Sequence, residues 1–201
     1  MLPRHKVFIS CYYAEDGYYK ELLENWNDSA EIFIDYSVQE YDIEDYGLTS
    51  EQIRRIIRDD YIRDSTVTIV LCGPNTRRRK HVDWEIHATM YDSPLNPQGG
   101  LIVINVPGSN NCKYASPGDE NLVPGSYKYR TYHEIDWLNE HFPELPDRIF
   151  WNIQQGVPIT IVDWDDVYLK NDKLSDLIDN AFYRKYENNY LKDIPLRKRN
   201  S

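Results

Sequence analysis

The chain has 201 residues, a formal net charge of −10, 41% hydrophobic residues and 13% aromatic residues. That length suits one domain with a substantial core, and the apolar fraction excludes wholesale disorder. The acidity excludes a general nucleic-acid binder, which needs a basic face to neutralise phosphates.

Lys6–Ser10 reads as a first strand, ending in Ser10-Cys11-Tyr12-Tyr13. Asp16 is placed to N-cap a helix over residues 18–27, with Tyr19, Leu22, Leu23 and Trp26 on one face. Residues 31–35 form a second strand that puts Asp35 at its C-terminal end, and the acidic stretch 36–47 reads as a loop. Thr49 and Gln52 make a capping-box pattern ahead of a helix with Ile53, Ile56, Ile57 and Tyr61 on its apolar face. Val67–Cys72 is β-branched and nearly all apolar, as a strand buried on both faces must be. Gly73-Pro74-Asn75 ends it, and Val82, Ile86, Thr89 and Met90 then recur at helical spacing. Residues 101–106 are a fourth buried strand, introduced by Gly99-Gly100. Residues 107–130 are rich in Gly, Pro, Ser and Asn and read as irregular, a length that points to function or disorder. A helix over 145–156, a fifth strand over 158–162, and a closing helix capped by Asp163 through Leu174, Leu177, Ile178 and Phe182 complete the pattern.

Buried strands alternating with amphipathic helices imply an α/β, three-layer, flavodoxin-like fold around a mainly parallel five-stranded sheet. The expected organisation is a single domain over 1–185, with an irregular insertion at about 107–130. A C-terminal extension, 186–201, follows; its Arg197-Lys198-Arg199 reads as a disordered end. Right-handed crossovers gather the C-terminal strand ends on one edge. Ser10, Cys11, Tyr12, Asp35 and Gly73-Pro74-Asn75 then share that edge with the start of the helix that carries Glu85. Open α/β sheets bind ligands there, which makes Glu85 the candidate for chemistry. A Glu beside a core face also fits a structural role, reaching outward to an arginine.

Neither GxGxxG nor GxxxxGK[ST] occurs, so the two common nucleotide cradles are missing. Five scattered histidines and three cysteines show no metal-ligand spacing, and no metal is expected. Asp163, Asp165 and Asp166 suit a helix N-terminus better than a magnesium site. Asp35 invites comparison with a receiver-domain phosphoacceptor, but the acidic pair after strand one and the lysine after strand five are not there. Arg77-Arg78-Arg79-Lys80 is either a solvated helical turn or a surface for phosphates. No signal peptide and no membrane-crossing apolar run are seen, so a reducing cytoplasmic setting is expected.

The residues quoted so far resemble a known family. Lys6-Val-Phe-Ile-Ser10 with Ala14-Glu15-Asp16 resembles the first strand and loop of TIR (Toll/interleukin-1 receptor) domains, and Phe33-Ile-Asp35 resembles their second strand. Residues 65–76, Arg78-Arg79 and His81-Val-Asp-Trp-Glu85-Ile86 are closer to a bacterial branch, the TIR-like subunit of Thoeris anti-phage defence systems. The likeness covers roughly the first half of the chain. TIR enzymes commonly carry Trp-Cys-x-x-Glu, where this chain has His81-Val82-Asp83-Trp84-Glu85.

The resemblance implies an NAD glycohydrolase or ADP-ribosyl cyclase that breaks the nicotinamide–ribose bond with Glu85. NAD is then substrate, and no cofactor is permanently bound. The product is an ADP-ribose-derived signalling molecule, often cyclic, that activates a downstream effector protein. Self-association or a phage-derived trigger is expected; nucleic acid and membrane are not. Phe8, Tyr12 and Trp84 are expected as walls of the site, and Arg78 or Arg79 as a contact for pyrophosphate. Ser10, Cys11, Asp35 and Asn75 complete the expected substrate-binding set. Two alternatives stand beside this reading: a non-catalytic TIR-like interaction module, and a nucleoside deoxyribosyltransferase-like enzyme, which also uses a glutamate.

Overall fold

The computed structural model describes residues 4–37, 49, 52, 55–94 and 97–200. Its strands are β1 (Lys6–Ser10), β2 (Ile34–Asp35), β3 (Val67–Cys72), β4 (Gly100–Asn105), β5 (Tyr114–Ala115), β6 (Tyr127–Lys128) and β7 (Thr160–Asp163). They form one sheet in the order β2-β1-β3-β4-β7-β5-β6. The pairs among β2, β1, β3, β4 and β7 are all parallel. This is the flavodoxin-like arrangement expected from the alternating pattern. Every residue of β3 and β4 is buried, which explains their β-branched, unpunctuated sequences.

The α-helices that lie wholly within the described residues are α1 (Tyr13–Ala30), α2 (Lys80–Met90), α3 (Ile135–His141), α4 (Asp147–Gln154), α5 (Trp164–Val167) and α6 (Asn171–Arg184). Strand side chains alternate between two cores. Val7, Ile9, Ile69 and Ile104 face one core with Leu23 and Trp26 of α1 and Leu177 of α6. Val70, Cys72 and Val103 face the other, with Ile86 of α2 and Ile149 of α4. Strand order reverses between β1 and β3, so the crevice of this sheet opens at their C-terminal ends.

Several elements differ from expectation for identifiable reasons. The second strand shrinks from residues 31–35 to two residues because the Asn27 side chain occupies the backbone before it. Its Oδ1 accepts from Ile32 N and Phe33 N, both at 3.0 Å, and its Nδ2 donates to Phe33 O at 3.1 Å. Helix α1 begins at Tyr13, so Asp16 lies inside its first turn and is not the N-cap. Asp163 occupies the N-cap position of α5 but makes no capping bond; its Oδ1 accepts from Asn105 Nδ2 at 3.0 Å. The closing helix comes as two pieces, α5 and α6, separated at Leu169 with φ 60°.

Residues 107–130 supply β5 and β6, giving seven strands among the described residues in place of the five expected, with β5 antiparallel to β7. Asp119 anchors the segment. Fully buried, it accepts from Thr160 Oγ1, from Asn180 Nδ2 at 2.7 Å and from Arg184 Nη2 at 2.6 Å. The capping box forms: Thr49 N donates to Gln52 Oε1 at 2.8 Å, and Gln52 N to Thr49 Oγ1 at 3.3 Å. The helix expected behind it falls partly outside the described residues, Ile53 included, and ends in a π-helical turn, Ile57–Ile62. Most of the expected loop 36–47 also lies outside them. No described helix is long and apolar enough to cross a membrane.

Residues 190–200, read from sequence as an extension with a free end, lie against α2 and α4. Tyr190 is buried, and its hydroxyl donates to Gly99 O at 3.1 Å. Arg197 N donates to Asp83 Oδ2 at 2.8 Å, and Trp84 Nε1 donates to Arg197 O at 3.0 Å. Beneath them Arg148, 0% exposed, meets Asp83 through Nε–Oδ1 at 3.1 Å and Nη2–Oδ2 at 3.3 Å. It also donates from Nη1 to Ile194 O at 3.1 Å.

Candidate functional site

Glu85 sits on the side of α2 that looks at the end of β1. Alternation along β1 turns Phe8 and Ser10 to the α2 face, while Val7 and Ile9 enter the opposite core. Ser10 Oγ donates to Glu85 Oε2 at 2.5 Å, and buried Phe8 lies one alternation below. The helix is tied down at the same level: Thr89 Oγ1 donates to Glu85 O at 3.0 Å and bonds Thr68 Oγ1 of β3 at 2.7 Å. A strand-to-helix lattice therefore fixes the backbone of Glu85 as well as its carboxylate.

Burial pushes the Glu85 carboxyl up to about 7, against the Ser10 hydrogen bond and the Lys20 ammonium, which both favour the charged form. Lys20 reaches this region from α1, is itself buried, and pairs with Glu24 at 3.0 Å. The half-buried Cys11 thiol is pushed well above its ordinary range, first by burial and then by the negative charge of Glu85. It stays protonated at neutral pH and supplies no nucleophile.

The rim is built by the loops after β1 and β3. Asp16, buried, accepts from Thr76 Oγ1 at 2.8 Å, and that oxygen accepts from Gly73 N at 2.9 Å. A Cβ on Gly73 would collide with the Asp16 carboxylate, so only glycine lets the loop after β3 close on the first turn of α1. Gly73→Ala is expected to cost about 1–3 kcal/mol, read from thermal melts. A melt unchanged from the parent would mean that the loop and the helix part easily. Outside this tie, Asn75 Nδ2 donates to Glu15 Oε2 at 2.9 Å. The Arg79 guanidinium covers the Tyr12 ring at 3.6 Å and approaches Glu15 at 4.0 Å.

The structure thus gathers Phe8, Ser10, Cys11, Tyr12, Asn75 and Glu85 at one edge. Three other expected residues lie elsewhere. Asp35 pairs at the level of Val7, three residues short of Ser10, and its Oδ1 accepts from Ser37 N at 2.8 Å. Trp84, one helical step of about 100° from Glu85, is turned toward residues 190–200 and stacks edge-on with His81 at 5.0 Å. Arg78 is exposed at the edge of a separate cleft, which it lines with Arg77 and Arg197. No group of His, Cys, Asp or Glu able to hold a metal ion is found among the described residues.

A family model described as Thoeris protein ThsB, TIR-like domain, matches residues 8–111. The chain belongs to this Thoeris TIR-like family. The match runs from β1 through the segment after β4, so it contains Ser10, Gly73 and Glu85 and leaves out β5, β6, β7 and residues 190–200. No curated protein matches the chain. Family membership supports a TIR-like role in anti-phage defence.

Within this Thoeris domain, sequence reasoning missed Lys20, the Asp16–Thr76 tie and the Asp83–Arg148 pair. Lys20 carries no local signal, because a lysine in an amphipathic helix ordinarily faces water. The Asp16–Thr76 tie joins residues 60 apart, beyond the reach of any local pattern. Arg79 was legible only as part of a basic run, which splits three ways: Arg77 to Asp147, Arg78 to solvent, and Arg79 to Tyr12 and Glu15.

Proposed function

We propose that this Thoeris TIR-like protein cleaves the nicotinamide–ribose bond of NAD, with Glu85 as the catalytic carboxylate. The observation that carries the reading is the Ser10–Glu85 hydrogen bond at the C-terminal end of β1. It aims a half-buried carboxylate into the crevice where the strand order reverses.

The C–N bond breaks with its electron pair passing to the positively charged pyridinium, so nicotinamide leaves neutral and needs no proton donor. Positive charge is left on the ribose as an oxocarbenium ion. A carboxylate in a low-dielectric pocket stabilises that charge far better than one in water. Capture by water then gives ADP-ribose and releases one proton. Capture by a nitrogen of the same molecule's adenine gives a cyclic ADP-ribose and also releases one proton. Tyr12, held under Arg79, offers an aromatic surface for a flat ring, and Phe8 closes the floor. On this reading the product activates a partner effector in the defence response.

The test is nicotinamide release from NAD by the purified protein, followed by chromatography across a pH series. Because the carboxylate form acts and its pKa is about 7, activity is expected to rise with pH and reach half its plateau near about 7. Lys20→Met removes a charge that favours the carboxylate, so its profile is expected to move to higher pH. A flat profile in both proteins, or base exchange between deoxynucleosides without NAD cleavage, would count against the proposal.

A further inference from the structure

A cleft of about 430 Å³ opens on the other side of the β3–α2 loop, lined by Pro74, Arg77, Arg78, Pro143, Glu144 and Arg197. In a chain of net charge −10, three guanidiniums converging on one cavity call for a reason. Arg77 and Arg197 are held by a shared carboxylate, with Arg77 Nε at 2.8 Å from Asp147 Oδ1 and Arg197 Nη2 at 2.5 Å from Asp147 Oδ2. Arg77 Nη1 also donates to Pro143 O at 2.9 Å. The Glu144 carboxylate is already engaged by Ser109 Oγ at 2.9 Å and by Asn110 N and Nδ2 at 2.7 and 2.6 Å. The Arg78 guanidinium is exposed and has no hydrogen bond or ion pair among the described residues. Against Asp147 and Glu144 the three arginines leave one positive charge, and it is carried by the one side chain that can turn freely into the cleft.

We infer that this cleft is a second binding site, taking a small ligand that carries a phosphate or diphosphate group. Its volume lies in the range of small-molecule pockets. Guanidiniums pre-set by a common aspartate bind tetrahedral oxyanions in forked geometry with little ordering cost. The site is distinct from the edge where Ser10 meets Glu85. Glu85 meets Ser10 on the β1 side of β3, whereas Pro143 and Glu144 stand on the β4 side, where Glu144 meets residues 109 and 110. Arg79, stacked on Tyr12, belongs to the Glu85 rim and not to the cleft.

The experiment is calorimetric titration of the full chain with inorganic pyrophosphate at low salt and neutral pH, alongside nicotinamide release measured over a range of NAD concentrations. Arg78→Glu is expected to keep the parent's KM for NAD, and pyrophosphate binding is expected to be equal in the parent and in Glu85→Gln. It is expected to be about tenfold weaker or worse in Arg78→Glu, because a charge-assisted contact is replaced by repulsion. Arg78→Ala should fall between them, and both variants should melt with the parent because Arg78 is exposed. Failure of the parent to bind, equal binding by Arg78→Glu, or a KM for NAD raised about tenfold in Arg78→Glu would each overturn the inference. The last outcome would identify the anion with the pyrophosphate of NAD in a single continuous site.

Discussion

Glu85→Gln is expected to lower nicotinamide release from NAD by about a hundred- to a thousandfold, while making the protein more stable above neutral pH. The first effect follows from removing the one charge placed to meet the oxocarbenium ion. The second follows from the raised pKa. Between the ordinary value of 4.5 and the folded value of about 7, the folded chain holds a proton that the unfolded chain has released. Stability therefore falls as pH rises through that window and stays low above it. Glutamine does not titrate and keeps a hydrogen-bonding partner for Ser10, so at about pH 8 it is expected to add ~1–3 kcal/mol. Paired melts and nicotinamide assays check both effects. A variant that cleaves NAD as the parent does, and melts lower, would make Glu85 a structural residue.

Asp83→Ala carries the largest expected loss of stability, about 3–5 kcal/mol, because it strands the guanidinium of the fully buried Arg148. For a chain of this size that is a fall of about 6–20 °C in melting temperature. The same change removes the acceptor for Arg197 N, so residues 190–200 should become open to proteolysis while the sheet persists. Thermal melts with limited proteolysis report the two consequences separately. A melt within a degree of the parent, with residues 190–200 still protected, would show that the pair holds nothing in place.

The five parallel strands were legible because Val67–Cys72 and its neighbours are apolar on both faces, and such runs have few other uses. Strands β5 and β6 were not, since two residues each are too short for any period, and pairing with β7 decides them. The shortened β2 was hidden by a side chain: nothing local shows that Asn27 will take over the backbone of residues 32 and 33. At the site, Ser10, Tyr12 and Asn75 were readable as strand and loop ends. Glu85 needed the family resemblance to rise above a structural role. Trp84, expected as a wall of the site, is carried away from it by one helical step.

The contacts of α2 with Arg197 also set an order in time. Trp84 and its acceptor carbonyl are 113 residues apart in the chain. At a synthesis rate of about 5–20 residues per second, the helix that carries Glu85 is made roughly 6–23 s before the segment that covers its outer face. During that interval a nascent chain can already hold β1, β3 and α2, with Asp83 and Trp84 still uncovered. The segment that seals the helix is made well after it, so a chain stopped before residue 190 leaves the Ser10–Glu85 pair on an unfastened support.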